Sequence, residues 1–316
     1  MPSSPAFETA ILPYGAAAIA EAARLIAAGQ CVAVPTETVY GLAADSTNGQ
    51  AVAGIYAAKG RPGFNPLIVH VPDLAAAERL AVFDDEARAL ATTRWPGPLT
   101  LVLPAKPGSG IASLVTAGLD TIAIRCPAHP AMRDLLTASG RPLAAPSANA
   151  SGTISPTRAG HVLKSLGGRI PLIVDAGPTA VGLESTIVAT GPLRLLRPGP
   201  IDLGLAPHAA TSIEAPGQLA SHYAPAKPLR LNATQADPDE WLIGFGAVAG
   251  DTTLSARGDL TEAAARLFDA LHDADTSPRD RIAIAPVPGT GLGLAINDRL
   301  KRAAACAQEG SRSLSA

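Results

Sequence analysis

The feature that most constrains the fold is a series of short apolar runs, four to six residues each, spread over the first two thirds of the chain. They read CVAV (31–34), LIVHV (67–71), LTLVL (99–103), TIAIR (121–125), PLIV (171–174), STIVAT (185–190) and LRLLR (193–197). Each is too short for a helix and is bounded by turn residues, so each is predicted to be a strand. Segments with helical spacing lie between them, at 15–29 and 50–60 and near 84–93, 128–138 and 159–167. The first stops at Gly29, a natural C-cap position. Strands mixed with amphipathic helices predict an α/β unit. The last two strands are close enough to pair as a hairpin through Thr190-Gly191-Pro192, so the sheet is expected to be mixed.

Aromatic residues are 3% of the chain and hydrophobic residues 47%, so the core must be built mainly from Ala, Val, Leu and Ile. The length of 316 residues suits two domains. From about residue 198 to 228 the pattern breaks into an aperiodic Pro-, Gly- and Ala-rich stretch that reads as a linker. A smaller βαβα-like segment follows: WLIGF (241–245), a helix over 261–273, RIAIA (281–285), a glycine loop and a helix over 294–306.

The net charge is −2, and residues 1–215 carry 15 basic and 15 acidic side chains. Overall charge therefore excludes a general polyanion binder, and a nucleic-acid module would need a local patch with aromatic interleaving. The three cysteines, Cys31, Cys126 and Cys306, form no CxxC pair and no zinc pattern. Cys31 and Cys126 sit in apolar surroundings and are expected as buried thiols. The chain shows no signal peptide and no long apolar span, so a cytoplasmic protein without a membrane segment is expected, and the Asn-x-Ser/Thr triplets at Asn149 and Asn232 are not read as glycosylation sites.

Three stretches carry candidate chemistry. KGRPGFNPLIVHV (59–71) presents Lys59 and Arg61 on a ribbon stiffened by Gly60, Pro62 and Gly63. A generic K-x-R pair is more often a solvated loop, and a lone His70 more often a satisfied core histidine; together they form a compact cationic site beside a strand. VPTETVYGLAAD (34–45) is dense in hydroxyls, at Thr36, Thr38 and Tyr40, and a helix is expected to start nearby, with Thr36 or Asp45 able to cap it. PLAAPSANASGTISPT (142–157) combines small residues that admit a ligand to the backbone with donors at Ser147, Asn149 and Ser155. Arg125 ends a strand and suits a carboxylate, and GLESTIV (182–188) adds Glu184 and Ser185. No P-loop, no GxSxG elbow and no HxxxH pair occurs among the motifs, and GTGLGLAI (289–296) reads as a turn opening the last helix, at best an anion site.

Taken in order, PTETVYGLAAD, KGRP-x-x-NPLIVHV, WPGPLTLVL (95–103), AIRCP (123–127), PSANASG-x-x-SPT, GLESTIV, LLRPG (195–199) and SHYAP (221–225) resemble the threonylcarbamoyl-AMP synthase family in its long, two-domain form. The resemblance implies a YrdC-like twisted mixed sheet with flanking helices, plus a smaller Rossmann-like α/β C-terminal domain. The division is expected as 1–205 catalytic, 206–229 linker with the SHYAP motif as a lid, and 230–316 C-terminal. It implies an L-threonylcarbamoyladenylate synthase, a nucleotidyltransferase that turns L-threonine, bicarbonate and ATP into threonylcarbamoyl-AMP and pyrophosphate. The product would feed N6-threonylcarbamoyladenosine at position 37 of tRNA, with downstream transfer proteins as partners.

By the same resemblance, Lys59 and Arg61 are catalytic. ATP would be held by Lys59, Arg61, Asn65, Thr121, Ser147, Asn149, Ser155, Arg197 and Tyr223. L-threonine would be held by Thr38, His70, Arg125, Ala145 and Ser185. Mg2+ is expected through the ATP phosphates, with no protein metal site. Rival readings are an RNA-holding cleft, a carbamoyl-transfer enzyme of hydrogenase maturation (which carries zinc-finger and acylphosphatase parts not visible here), and a second domain that is only a structural cover.

Overall fold

In the computed structural model, which describes residues 7–208, 213–218 and 222–312, the chain forms two sheets. The first part runs β1 (Ala10–Pro13), α1 (Ala16–Ala27), β2 (Val32–Pro35), β3 (Tyr40–Asp45), α2 (Gly49–Lys59), β4 (Ile68–His70), α3 (Leu74–Leu80), α4 (Asp85–Arg94) and β5 (Leu99–Pro104). It continues with α5 (Ser113–Thr116), β6 (Thr121–Arg125), α6 (Pro130–Ser139), β7 (Leu143–Ala144), α7 (Ala159–Leu166), β8 (Leu172–Asp175), β9 (Thr186–Ala189) and β10 (Arg194–Arg197). The second part has β11 (Leu229–Arg230), β12 (Glu240–Gly244), β13 (Thr252–Thr253), α8 (Leu260–Thr276), β14 (Arg281–Ile284) and α9 (Leu292–Arg312).

The large sheet has the order β1-β8-β2-β3-β7-β4-β6-β5-β9-β10. It is mixed, as expected: β4 is parallel to β6 and β5 to β9, while β5 is antiparallel to β6 and β10 to β9. The hairpin joining β9 and β10 is present. The small sheet, β11-β14-β12-β13, is parallel throughout.

The helix expected near Val34–Asp45 is present, as α2 from Gly49, but neither Thr36 nor Asp45 caps it, and Tyr40–Asp45 turns back as β3, antiparallel to β2. The cap of α2 is Asn48, whose side chain accepts from the backbone of Gln50 and Ala51. Thr36 instead accepts from the backbone N–H of Thr38 and Val39, closing the turn between β2 and β3. The competing rule that won is antiparallel pairing: Gly41 to Ala44 are small enough to fill a fully buried central strand.

Side-chain alternation sets what each face does. Val32 and Val34 point to a core shared with α1 and α6, while Ala33 points to the opposite core under α2 and α7. In the β4-β6-β5-β9 half the first face is different. Ile68, Val102, Ala123, Ile187 and Leu196 form a small cluster there, covered by Ala215 of the linker. Among the described residues no helix contributes to that cluster, so on this half of the sheet the face is left to the linker and to the cavity beside it.

The core of the small sheet includes Val39, Ile154, Leu183 and Tyr223 along with Phe268, Leu271, Ile282 and Ile296. Loops of the large sheet are therefore part of the hydrophobic interior of the second part.

Candidate active site

The site forms on that open face because residues two apart on a strand share a side. Register pairs Ile68 with Ala123 and His70 with Arg125, so His70 and Arg125 stand side by side at the ends of β4 and β6. Ser185 precedes β9 by one residue, and Arg197 ends β10. Across the cavity, Gly41 bridges to Ser147, which draws the Pro146–Asn149 loop over the end of β3. A narrow cavity of about 50 Å3 results. Of the residues expected at the site, Thr38, Arg61, His70, Arg125, Ala145, Ser147, Ser185, Arg197 and Tyr223 line it.

The other five do not line it. Lys59 is buried just behind, and its Nζ donates to the carbonyls of Ser147 and Asn149. The α2 helix places it there: Gly60, in the left-handed conformation at φ 61°, ends the helix directly after Lys59. Asn65 is buried beside Arg61, whose Nε donates to the Asn65 carbonyl at 3.1 Å and whose Nη2 donates to that of Pro66 at 2.8 Å. Both side-chain polar atoms of Asn65 and the Oδ1 of Asn149 are buried without a protein partner. Ser155 donates its hydroxyl to Glu184, which is on the cavity wall. Thr121 lies at the far, N-terminal end of β6, four residues from Arg125.

The electrostatics are those of buried cations. Burial, with the charge of Arg61 next, drives the Lys59 ammonium well below its usual range. Burial also lowers Arg61 to about 10 and lowers Arg197. Burial first and then the charge of Arg125 lower His70 to about 3, so its imidazole is neutral at pH 7, with Nδ1 unpartnered. Arg197 bonds to the Ser185 carbonyl through Nε at 3.0 Å and Nη2 at 2.9 Å. Ser185 is held in turn by Thr100, Oγ to Oγ1 at 2.7 Å.

Arg125 is fixed on three sides. Its Nε donates to the Gly97 carbonyl at 3.2 Å, Nη1 donates to Thr38 Oγ1 at 2.9 Å, and Nη2 is 2.7 Å from Glu37 Oε1. Gly97 also donates its N–H to the Cys126 carbonyl, so the Trp95–Gly97 turn brackets the end of β6. A side chain at Gly97 would lie 2.4 Å from the Arg94 carbonyl oxygen.

Sequence reasoning missed several of these groups. Glu37 was passed over because a single carboxylate inside a Thr-Glu-Thr turn has no periodicity; its flanking hydroxyls were the available signal. Gly97 lies within WPGPLTLVL, where nothing local signals its contact with Arg125. His222, buried and edge-on to Tyr223 at 4.0 Å between ring centroids, also lines the cavity. Arg299 of α9 is fully buried, pairs with Glu184 at 2.9 Å, donates to the Pro198 carbonyl at 2.9 Å and lies over the Tyr223 ring. In the SHYAP stretch Ser221 lies outside the described residues, while Tyr223 is buried in the left-handed region at φ 65°. Cys31 and Cys126 are free buried thiols, as expected. Among the described residues no helix is long and apolar enough to cross a membrane.

A family model described as "Telomere recombination" matches residues 24–199, and one described as "Threonylcarbamoyl-AMP synthase, C-terminal domain" matches residues 186–305. The chain is 42% identical to a threonylcarbamoyl-AMP synthase of Bacillus subtilis, over 90% of this chain and 92% of that one. The crystal structure of Pyrococcus abyssi Sua5 in complex with L-threonine superposes with a TM-score of 0.85 at 37% identity, covering 94% of this chain and 97% of that one. Full-length HypF matches at 20% identity and a TM-score of 0.51, over 57% of this chain but only 28% of its own, a likeness of fold alone.

Proposed function

The chain belongs to the threonylcarbamoyl-AMP synthase family, and from that premise we propose that it condenses L-threonine, bicarbonate and ATP into threonylcarbamoyl-AMP and pyrophosphate. The observation that carries the proposal is convergence. Arg61, Arg125 and Arg197, from three distant parts of the chain, meet a neutral imidazole and the Ser147 loop in one cavity.

The chemistry needs little covalent help. The threonine amine attacks the carbon of bicarbonate, the C–OH bond breaks, and water leaves carrying the amine proton, which gives a carbamate. A carbamate oxygen attacks the α-phosphorus, the bond to the β-phosphate oxygen breaks, and pyrophosphate leaves. In this nucleotidyl transfer the protein supplies alignment and charge. Arg61 and Arg197 take phosphate oxygens; Lys59, Asn149 and Ser155 hold the loops that frame them; Asn65, with its amide unpartnered, is free to turn to a phosphate; Ser147 and Tyr223 close the nucleotide side. Thr121 stands at the far, N-terminal end of β6 and does not line the cavity, so this scheme gives it no contact with the nucleotide. Threonine lies toward Thr38, His70, Arg125, Ala145 and Ser185, with the Arg125 fork taking its carboxylate.

No group of three or more metal-binding side chains exists among the described residues. Mg2+ would arrive with ATP, held by the phosphate oxygens, and would screen their charge. A cavity of about 50 Å3 is far below the several hundred Å3 that hold drug-sized ligands. Substrates therefore enter by displacement of the 206–229 linker, whose Pro216, Gly217, His222 and Tyr223 form one wall. Return of that linker as a lid shields the labile adenylate from water. Residues 1–205 act as the catalytic part and 230–316 as the base on which the lid closes. The product would serve tRNA adenosine 37 in the cytoplasm through separate transfer proteins.

The test is pyrophosphate release by pure protein with ATP, bicarbonate and each of the twenty amino acids. Release should depend on threonine, and Arg61→Ala should abolish it while the fold persists. Activity of Arg61→Ala within twofold of the parent protein would remove the phosphate-gripping role.

A further inference from the structure

The arginines on the cavity wall differ in one respect. Arg61 bonds only to carbonyls, of Asn65 and Pro66. Arg197 bonds to the Ser185 carbonyl and hydroxyl and the Pro216 carbonyl. Lys59, behind the wall, bonds to two carbonyls. Among the described residues none of these three has a carboxylate within ion-pair distance, whereas Arg125 has Glu37 at 2.7 Å. Glu37 sits behind the wall, and the carboxylate that lines the cavity, Glu184, is committed to Arg299. The cavity thus has uncompensated positive charge at one end and a neutralised pair at the other.

We infer that Glu37 is a specificity-determining residue: by neutralising Arg125 it admits a zwitterionic amino acid to that end of the cavity and turns away simple anions. The inference rests on the assignment of Arg125 to the amino-acid carboxylate. The physical problem is real for any site of this kind. Phosphates, pyrophosphate, bicarbonate and carboxylates all seek buried cations, and all meet in one small space. A bare Arg125, 3% exposed, would attract a phosphate as strongly as Arg61 does. With Glu37 beside it, a ligand with net charge −1 or −2 gains attraction from the guanidinium and repulsion from the carboxylate. A zwitterion brings a carboxylate for the guanidinium but no net charge for the Glu37 carboxylate behind it to repel.

Glu37 is built for permanence. It is 8% exposed, its Oε2 accepts the Ala128 N–H at 3.1 Å, and its own carbonyl accepts from the Val181 N–H. Burial alone would raise its carboxyl, but the Arg125 charge and hydrogen bond, with the backbone N–H groups of Glu37 itself and Ala128, outweigh burial and hold it below the usual range. It therefore keeps its charge at neutral pH. The guanidinium also keeps capacity for a ligand. Of its five N–H groups one goes to Gly97 and one to Thr38, and one more faces Glu37. The Nη2 group makes no well-aligned hydrogen bond to the protein, so the guanidinium is not saturated.

The test is the inhibition pattern of inorganic phosphate in Glu37→Gln, an isosteric change that leaves an acceptor for Ala128. In the parent protein phosphate should compete with ATP and not with threonine. In Glu37→Gln phosphate should also compete with threonine, with an inhibition constant at least tenfold lower, and Glu37→Asp should restore the parent pattern. An unchanged pattern in Glu37→Gln overturns the inference. So does a selective rise in threonine KM with phosphate inhibition unaltered, which would make Glu37 an orienting anchor for Arg125. If Glu37→Gln does not fold, the parent protein decides. The 2-hydroxy analogue of threonine, an anion without the ammonium, should bind at least tenfold more weakly than threonine, and equal binding overturns the inference. Threonine-dependent pyrophosphate release by the parent protein is the control: its absence would reject the proposed function, while its presence with an unchanged phosphate pattern rejects only the role of Glu37.

Discussion

Arg299→Met should be among the most damaging changes distant from the substrates in sequence. Arg299 is fully buried, yet its charge is answered by Glu184 at 2.9 Å and Asp298 at 2.8 Å, and by the Pro198 carbonyl. Removing the guanidinium leaves the Glu184 carboxylate buried with Ser155 as its remaining side-chain donor. Breaking one partner of a buried pair typically costs about 3–5 kcal/mol, because an uncompensated charge stays behind. Glu184→Gln alone should cost a similar amount, and the double variant clearly less than the sum, with a coupling of at least about 2 kcal/mol. The two tryptophans make the assay specific. Trp95 sits beside the large sheet and Trp241 in β12 of the small one. Urea unfolding followed through each, in Trp95→Phe and Trp241→Phe backgrounds, should be coincident in the parent protein. With Arg299→Met the two transitions should separate, because α9 no longer locks onto the Glu184 loop. A loss below about 1 kcal/mol with coincident transitions would refute this account of how the two parts are joined.

Gly97→Ala should raise the threonine KM roughly tenfold or more with little change in that for ATP. The added carbon meets the Arg94 carbonyl oxygen at 2.4 Å and must shift the turn that holds Arg125; equal effects on both substrates would argue for general misfolding. Acid should destabilise the fold. Burial lowers His70 and His272 to about 3 and His161 to about 4, so below about pH 6.5 the unfolded chain takes up protons that the folded chain refuses. Stability is then lost steadily as pH falls from 6.5 toward those values, by up to about 1.4 kcal/mol per pH unit for a fully buried imidazole such as His70. His161 and His272 stack at 3.8 Å, and replacing both with Gln should flatten the urea midpoint against pH; an unaltered slope would show that they titrate normally.

The alternation that names TIAIR a strand also fixes which of its residues face the ligand, because Ala123 and Arg125 share a side by the two-residue period alone. Gly29, Gly60 and Gly140 end helices for reasons local to each. The α/β class, most strands and helices and the hairpin joining β9 to β10 were therefore legible without the fold. Lys59 and Arg61 could also be read as a compact cationic pair, and Ser147 and Asn149 as donors in a small-residue loop. That Lys59 reaches Ser147, 88 residues away, is a fact of tertiary structure. The same holds for β3, where a segment that could have opened a helix became a central strand because β2 and β7 offered it partners on both sides. Glu37 and Arg299 are the clearest cases. In one dimension each is an ordinary charged residue near a turn or on a helix. Their significance is a pairing across 88 and 115 positions respectively, and a buried charge acquires its energy from whatever the fold sets beside it, which no local pattern encodes.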